Sequence, residues 1–188
     1  MNRRRRLSIA FSLLLTSVAA VAQNHSLDIG AGYTYTRTNI LPGCACFSLQ
    51  GGHVELQAGL TRHVSLLANF DAGTRSGITP DNYQLTQLTY TFGGRYTLFA
   101  PQRWSPFGEA LFGGAHALGT LSPGNNSIGG TSNAVALRTG GGVSLRLTSH
   151  LRVVPVEADY LLTNFRNGAN NRQNDLQLSA GLLFRLTK

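Results

Sequence analysis

The sequence predicts an all-β chain: an eight-stranded antiparallel up-and-down transmembrane β-barrel, preceded by a cleaved signal peptide. Three observations predict it. Eight stretches of 10 to 15 residues alternate apolar with polar side chains, the two-residue period of a strand with one apolar face. The connections between them alternate in length, long then short, from the first to the last. Six of the 8 acidic residues fall on the polar face of these stretches, which suits a cylinder with hydrocarbon outside and polar groups inside. The last stretch, Asp175 to Leu186, is the clearest. Leu176, Leu178, Ala180, Leu182, Phe184 and Leu186 share one face, and Gln177, Ser179, Gly181, Leu183 and Arg185 the other. At about 3.3 Å per residue it spans roughly 35 to 40 Å, enough for a tilted bilayer crossing.

The chain begins differently. Arg3 to Arg6 form a positive block, Leu7 to Val18 an apolar run, and Ala20-Val21-Ala22 a small-x-small cleavage site, the three regions of a secretory signal peptide. Residues 1–22 are therefore read as the leader and 23–188 as the barrel domain. The apolar run is too short to span a bilayer as a helix. Removing the leader takes four of the 16 basic residues and none of the 8 acidic ones, so the net charge falls from +8 to +4. No basic stripe interleaved with aromatics remains, which speaks against nucleic acid as a partner. Beyond the leader no apolar run approaches the ~20 residues of a membrane helix, so a membrane protein here is built from strands.

Strand one, Leu27 to Thr36, sets Leu27, Ile29, Ala31, Tyr33 and Tyr35 against Asp28, Gly30, Gly32, Thr34 and Thr36. A long connection, Arg37 to Gln50, holds Pro42-Gly43 and the pair Cys44 and Cys46. Strand two, Gly51 to Leu60, points Val54, Leu56 and Ala58 outward and His53, Glu55 and Gln57 inward. A turn at Thr61 to His63 leads to strand three, Val64 to Gly73, with Asn69 and Asp71 inward. Thr74 to Gln84, with Gly77 and Pro80, reads as the second long loop. Strand four, Leu85 to Leu98, carries Tyr90, Phe92 and Tyr96 outward and Arg95 inward. After a Pro-bounded turn carrying Trp104, strand five, Phe107 to Leu118, places Glu109 inside and Phe112 and His116 outside. A Gly- and Asn-rich loop, Gly119 to Ser132, precedes strand six, Asn133 to Leu147, with Arg138 and Arg146 inward. A turn at Thr148 to His150 opens strand seven, Leu151 to Leu162, which sets Val154, Val156 and Tyr160 outward against Glu157 and Asp159. Pro155 lacks a ladder donor, so a bulge or pairing gap is predicted there. The polar loop Thr163 to Asn174 leads to the last strand.

On this reading ten charged residues face inward: Asp28, Glu55, Asp71, Arg95, Glu109, Arg138, Arg146, Glu157, Asp159 and Arg185. Turning the barrel inside out would bury them all in one core, at a prohibitive desolvation cost. Eight strands enclose a lumen that inward side chains nearly fill, so these groups are expected to pair across it as a structural network. The competing reading is a narrow porin-like channel for ions or small solutes.

The strand rhythm, Arg138-Thr-Gly-Gly-Gly-Val and Val156-Glu-Ala-Asp-Tyr in late strands, and the Leu-Phe-Arg-Leu ending resemble the small eight-stranded outer-membrane proteins of the OmpA and OmpX type. These belong to the wider group with an outer-membrane protein β-barrel domain. The resemblance covers Ser26 to Lys188. It implies a bacterial outer-membrane location, outer-membrane lipid as the surroundings, and assembly by the barrel-insertion machinery. In such families that machinery reads a C-terminal aromatic strand; the aromatic here is Phe184, four residues before Lys188.

Little else suggests chemistry. Cys44 and Cys46 form a Cys-x-Cys pair in the first long loop. A local disulfide, metal capture and free thiols all remain open for it. Of the five histidines, His25, His53, His63, His116 and His150, only His53 faces the lumen. A lipid A-modifying barrel enzyme would need an outward His116 joined by a serine and an acid, and no motif secures that. No Walker loop, Rossmann fingerprint or zinc spacing occurs. The expectation is a monomeric, non-enzymatic envelope barrel without cofactor, serving structure or surface interaction.

Overall fold

The computed structural model describes residues 26–38, 47–78, 83–99, 103–119, 130–166 and 171–187. The leader, residues 1–22, and Cys44 and Cys46 lie outside the described residues. Eight strands follow in chain order: β1 (Leu27–Thr38), β2 (Phe47–Gly59), β3 (Val64–Ile78), β4 (Tyr83–Thr97), β5 (Trp104–Gly119), β6 (Gly130–Arg146), β7 (Leu151–Thr163) and β8 (Gln173–Arg185). Each pairs antiparallel with its neighbours in sequence, and β1 pairs with β8, so the sheet closes on itself without an edge.

Sidedness follows the alternation. In β8, Leu176, Leu178, Leu182 and Phe184 are exposed, while Asp175, Gln177, Ser179 and Leu183 are buried. Around the outside stand Ile29, Tyr33, Leu56, Phe70, Tyr90, Phe92, Phe112, Leu137 and Tyr160, all large, apolar and exposed. That is the reverse of a water-soluble barrel, whose large apolar groups fill the centre.

Two of the three short connections repeat one design. Leu60-Thr61-Arg62-His63 and Leu147-Thr148-Ser149-His150 share the pattern Leu-Thr-x-His. In each, the threonine hydroxyl accepts from the two amides that open the next strand, His63 (3.2 Å) and Val64 (3.0 Å) in one, His150 (3.2 Å) and Leu151 (3.0 Å) in the other. Each histidine then stacks on an exterior aromatic of the adjoining strand, His63 on Tyr96 at 5.8 Å and His150 on Phe184 at 6.4 Å between centroids. His63 Nδ1 also donates to the Thr97 carbonyl at 2.8 Å. Ser26 and Thr187 lie at this same turn end, tied to the wall by the Gly59 amide donating to the Ser26 carbonyl and the Leu27 amide to the Thr187 hydroxyl.

The strict long-short alternation needs correction. Thr74 to Gln84 is mostly strand, because β3 runs on to Ile78 and β4 starts at Tyr83, leaving only 79–82 between them. A bulge lets β3 continue: Arg75 faces Leu85 and Ile78 faces Tyr83, so β3 spends three residues where β4 spends two. Gly77 absorbs the extra residue at φ 72°, a left-handed conformation that glycine adopts without a Cβ penalty. Trp104, placed in a turn by the sequence, opens β5.

A second bulge corrects a side-chain assignment. β7 advances three residues from Val154 to Glu157 while β8 moves two, from Gly181 to Ser179. The extra residue sits at Pro155, which has no amide to offer the ladder. Parity flips there, so Val154 is buried inside the barrel and not on its outer face, and Arg152 also turns inward.

The interior is layered. At the loop end Phe47, Leu49, Ile78, Leu85, Leu161 and Phe165 form an apolar cluster inside the wall. Charged and hydroxyl groups fill the middle. Toward the turn end Phe107, Val154 and Leu183 form a smaller apolar patch. A wholly polar lumen, as the alternation alone suggests, is therefore too simple a picture.

Candidate functional site

The middle layer is built from one or two inward residues on each of five strands. β4 supplies Arg95, β6 Arg138, β2 Glu55, β5 Glu109, and β7 both Glu157 and Asp159. Arg95 is 3% and Arg138 2% exposed. The Arg95 Nη2 lies 3.0 Å from Glu55 Oε2, 2.7 Å from Glu109 Oε2 and 3.4 Å from Glu157 Oε2. Arg138 reaches Glu157 and Asp159 through Nη2, each at 2.5 Å, and Glu109 through Nε at 3.7 Å. Glu109 and Glu157 thus touch both arginines and join them into one network. Arginine suits the role because its planar guanidinium offers five donors and holds its charge when buried. The Phe107 ring lies against Arg95, its centroid 4.1 Å from Cζ, in a cation–π contact.

Glu109, Glu157 and Asp159 each present an oxygen within 4.8 Å of the others, a spacing that could hold a cation. Arg138 is paired with all three, so a guanidinium already stands where a metal would sit. The remaining inward charges lie apart from this cluster. Asp28 bridges Arg185 (3.1 Å) and Arg152 (3.2 Å) near the turn end. Arg146 is exposed at the turn-end mouth. Asp71 is buried on β3 opposite His53, whose Nδ1 is 2.9 Å from the Thr34 hydroxyl.

Sequence reasoning missed Arg152, which parity carried straight through Pro155 would place outside, and the buried Asp175 at the start of β8. It also left the outward His116 unexplained. Its ring Nδ1 lies 2.6 Å from the Asn133 side-chain oxygen, directly across the β5–β6 ladder. An amide, not an acid, is its hydrogen-bond partner.

The sequence profile of the outer membrane protein beta-barrel domain matches residues 8–184. The chain belongs to that family. Its members are bacterial outer-membrane proteins, so the exposed apolar belt faces outer-membrane lipid. Among solved structures the barrel is similar to Ail, the attachment invasion locus protein of Yersinia pestis, at 14% identity and a TM-score of 0.60, covering 86% of this chain and 99% of that one. It is also similar to Neisserial surface protein A, at 13% identity and a TM-score of 0.63, with 84% and 96% covered. A major outer membrane protein from Thermus thermophilus aligns at 12% identity and a TM-score of 0.55, with 87% and 100% covered. At such identities these likenesses speak to the fold. No curated protein matches the chain in sequence.

Proposed function

We propose that this outer-membrane barrel is a closed, non-conducting and non-enzymatic wall element that serves surface interaction through its loop-end connections. It works as a monomer, inserted by the barrel-insertion machinery after residues 1–22 are removed. The observation that carries the reading is the filled lumen, with the Arg95–Arg138 network at mid-height and apolar side chains above and below it. An eight-stranded cylinder has little interior to spare, and a continuous water path would need both arginines to leave their carboxylates. On this reading the ten inward charges act in structure and not in transport.

The surface role draws support from relatives whose names describe one. Ail is an attachment invasion locus protein, and one of its structures is a complex with the heparin analogue sucrose octasulfate. By the usual topology of the family, the connections at 39–46, 79–82, 120–129 and 164–172 face the medium and the short turns face the periplasm. Cys44 and Cys46 belong to the first of these outer connections.

Planar-bilayer recording of the purified mature barrel tests the proposal. Steady unit conductance should be absent at either polarity. Reproducible ion-selective steps in the wild type would favour the narrow porin-like channel instead.

A further inference from the structure

Below the small apolar patch the barrel opens toward the turn end in a cavity of about 210 Å³. Its floor follows from strand spacing. Ser105, Arg152 and Arg185 line the cavity, and one inward step along each strand, two residues or about 6.6 Å on, stand Phe107, Val154 and Leu183. The cavity is thus a cup whose bottom is apolar on that side; on β2 and β4 the same step from Gln57 and Thr97 leads to Glu55 and Arg95, paired with each other at 3.0 Å.

Its wall is cationic. Arg62, Arg146, Arg152 and Arg185 all line it, brought from the β2–β3 turn, the end of β6, the start of β7 and the end of β8. Hydroxyl groups of Ser65, Ser105 and Ser144 stand among them. Among the described residues that line the cup, none carries a carboxylate. Asp28, beside it, gives one negative charge to Arg152 and Arg185 together. With five N–H groups on each arginine, that pair offers more donors than one carboxylate accepts. Fork-shaped donors with hydroxyls between them match the oxygens of a phosphate-type oxyanion, and the apolar part of the floor strengthens that attraction. The cup is smaller than a pocket for a drug-sized ligand, so it fits an anionic group and not a large organic body.

We propose that this cup binds a phosphate-type oxyanion from the turn-end side. A free phosphate and the phosphate of a lipid headgroup at the rim present the same chemistry. The mature barrel is folded in zwitterionic micelles and titrated calorimetrically with inorganic phosphate at constant ionic strength. In a second arm it is placed in phosphatidylcholine bilayers with or without phosphatidylglycerol, and headgroup immobilisation is read by phosphorus NMR. Folding of each variant is checked by heat-modifiable gel mobility.

Saturable phosphate binding is expected, weakened tenfold or more in Arg146→Gln and in the double variant Arg62→Gln/Arg146→Gln, both of which leave the Asp28 bridges in place. Arg75→Gln, on the exposed loop-end part of β3, should bind as the wild type does. If only the phosphatidylglycerol arm responds, and Arg146→Gln abolishes the response, the lipid headgroup is the source. Failure of both arms, or binding indifferent to Arg62 and Arg146, overturns the proposal.

Discussion

Gly140 shows how tightly single residues are fitted to this lumen. It stands on β6 opposite Asp159, and a Cβ placed there would lie 2.2 Å from Asp159 Oδ1 and 2.3 Å from the Ala158 carbonyl oxygen. The missing side chain is what lets Asp159 turn to Arg138, two residues before Gly140 on the same strand. Gly140→Val should therefore force the two strands apart and break the ion pair together. The expected outcome is a loss of about 1 to 3 kcal/mol from overpacking alone, seen as a lower urea midpoint in lipid vesicles. An unshifted midpoint would mean that the β6–β7 wall yields more easily than its backbone contacts allow.

At the scale of strands, the bulge at Pro155 sets which way the first part of β7 faces. Deleting Pro155 removes the extra residue, so β7 and β8 each advance two residues between the Val154–Gly181 and Glu157–Ser179 pairs, and Arg152 and Val154 keep facing inward with regular pairing. The deletion should therefore fold, with most of the protein shifted in a heat-modifiability gel. Pro155→Ala keeps the residue count, and because Pro155 is exposed it should fold like the wild type. If the deletion left most of the protein unfolded, Pro155 would not be the extra residue of the bulge.

The same bulge marks where the sequence stopped being legible. Period-two alternation is a local property, so it placed Glu55, Arg95, Glu109, Arg138, Glu157 and Asp159 on one face with no knowledge of their partners. It carried straight through Pro155 and put Val154 outside, since one extra residue inverts every assignment before it. At Gly77 the reverse happened. A glycine and a nearby proline read as loop chemistry, while the chain used the glycine to keep pairing through Ile78. The loop-end apolar cluster was hidden for another reason. Leu49, Leu85, Leu161 and Phe165 are inward apolar residues near strand ends, and an alternation rule that equates apolar with outward cannot see them.

For the whole molecule, the outer surface must be wetted by lipid. Phe112 lies midway along β5, 62% exposed and flanked by Phe92 and Leu137 on the adjoining strands. Phe112→Arg should lose about 2 to 4 kcal/mol of folding stability in vesicles, the cost of a basic side chain near the bilayer midplane. Orientation is tested separately. An epitope inserted in the 120–129 connection should be labelled by antibody on intact cells, and one inserted at Ser149 only after the outer membrane is opened. The opposite pattern would invert the barrel in its membrane.

The central claim is that two buried arginines hold the wall of this barrel together from within. Its most direct test is equilibrium urea unfolding of Arg138→Met in lipid vesicles beside the wild type. Methionine keeps much of the side chain's apolar length but leaves Asp159 without its arginine and Glu55, Glu109 and Glu157 to share Arg95 alone, so a loss of about 3 to 5 kcal/mol is expected. An Arg138→Met barrel that unfolds at the wild-type urea concentration would contradict the account.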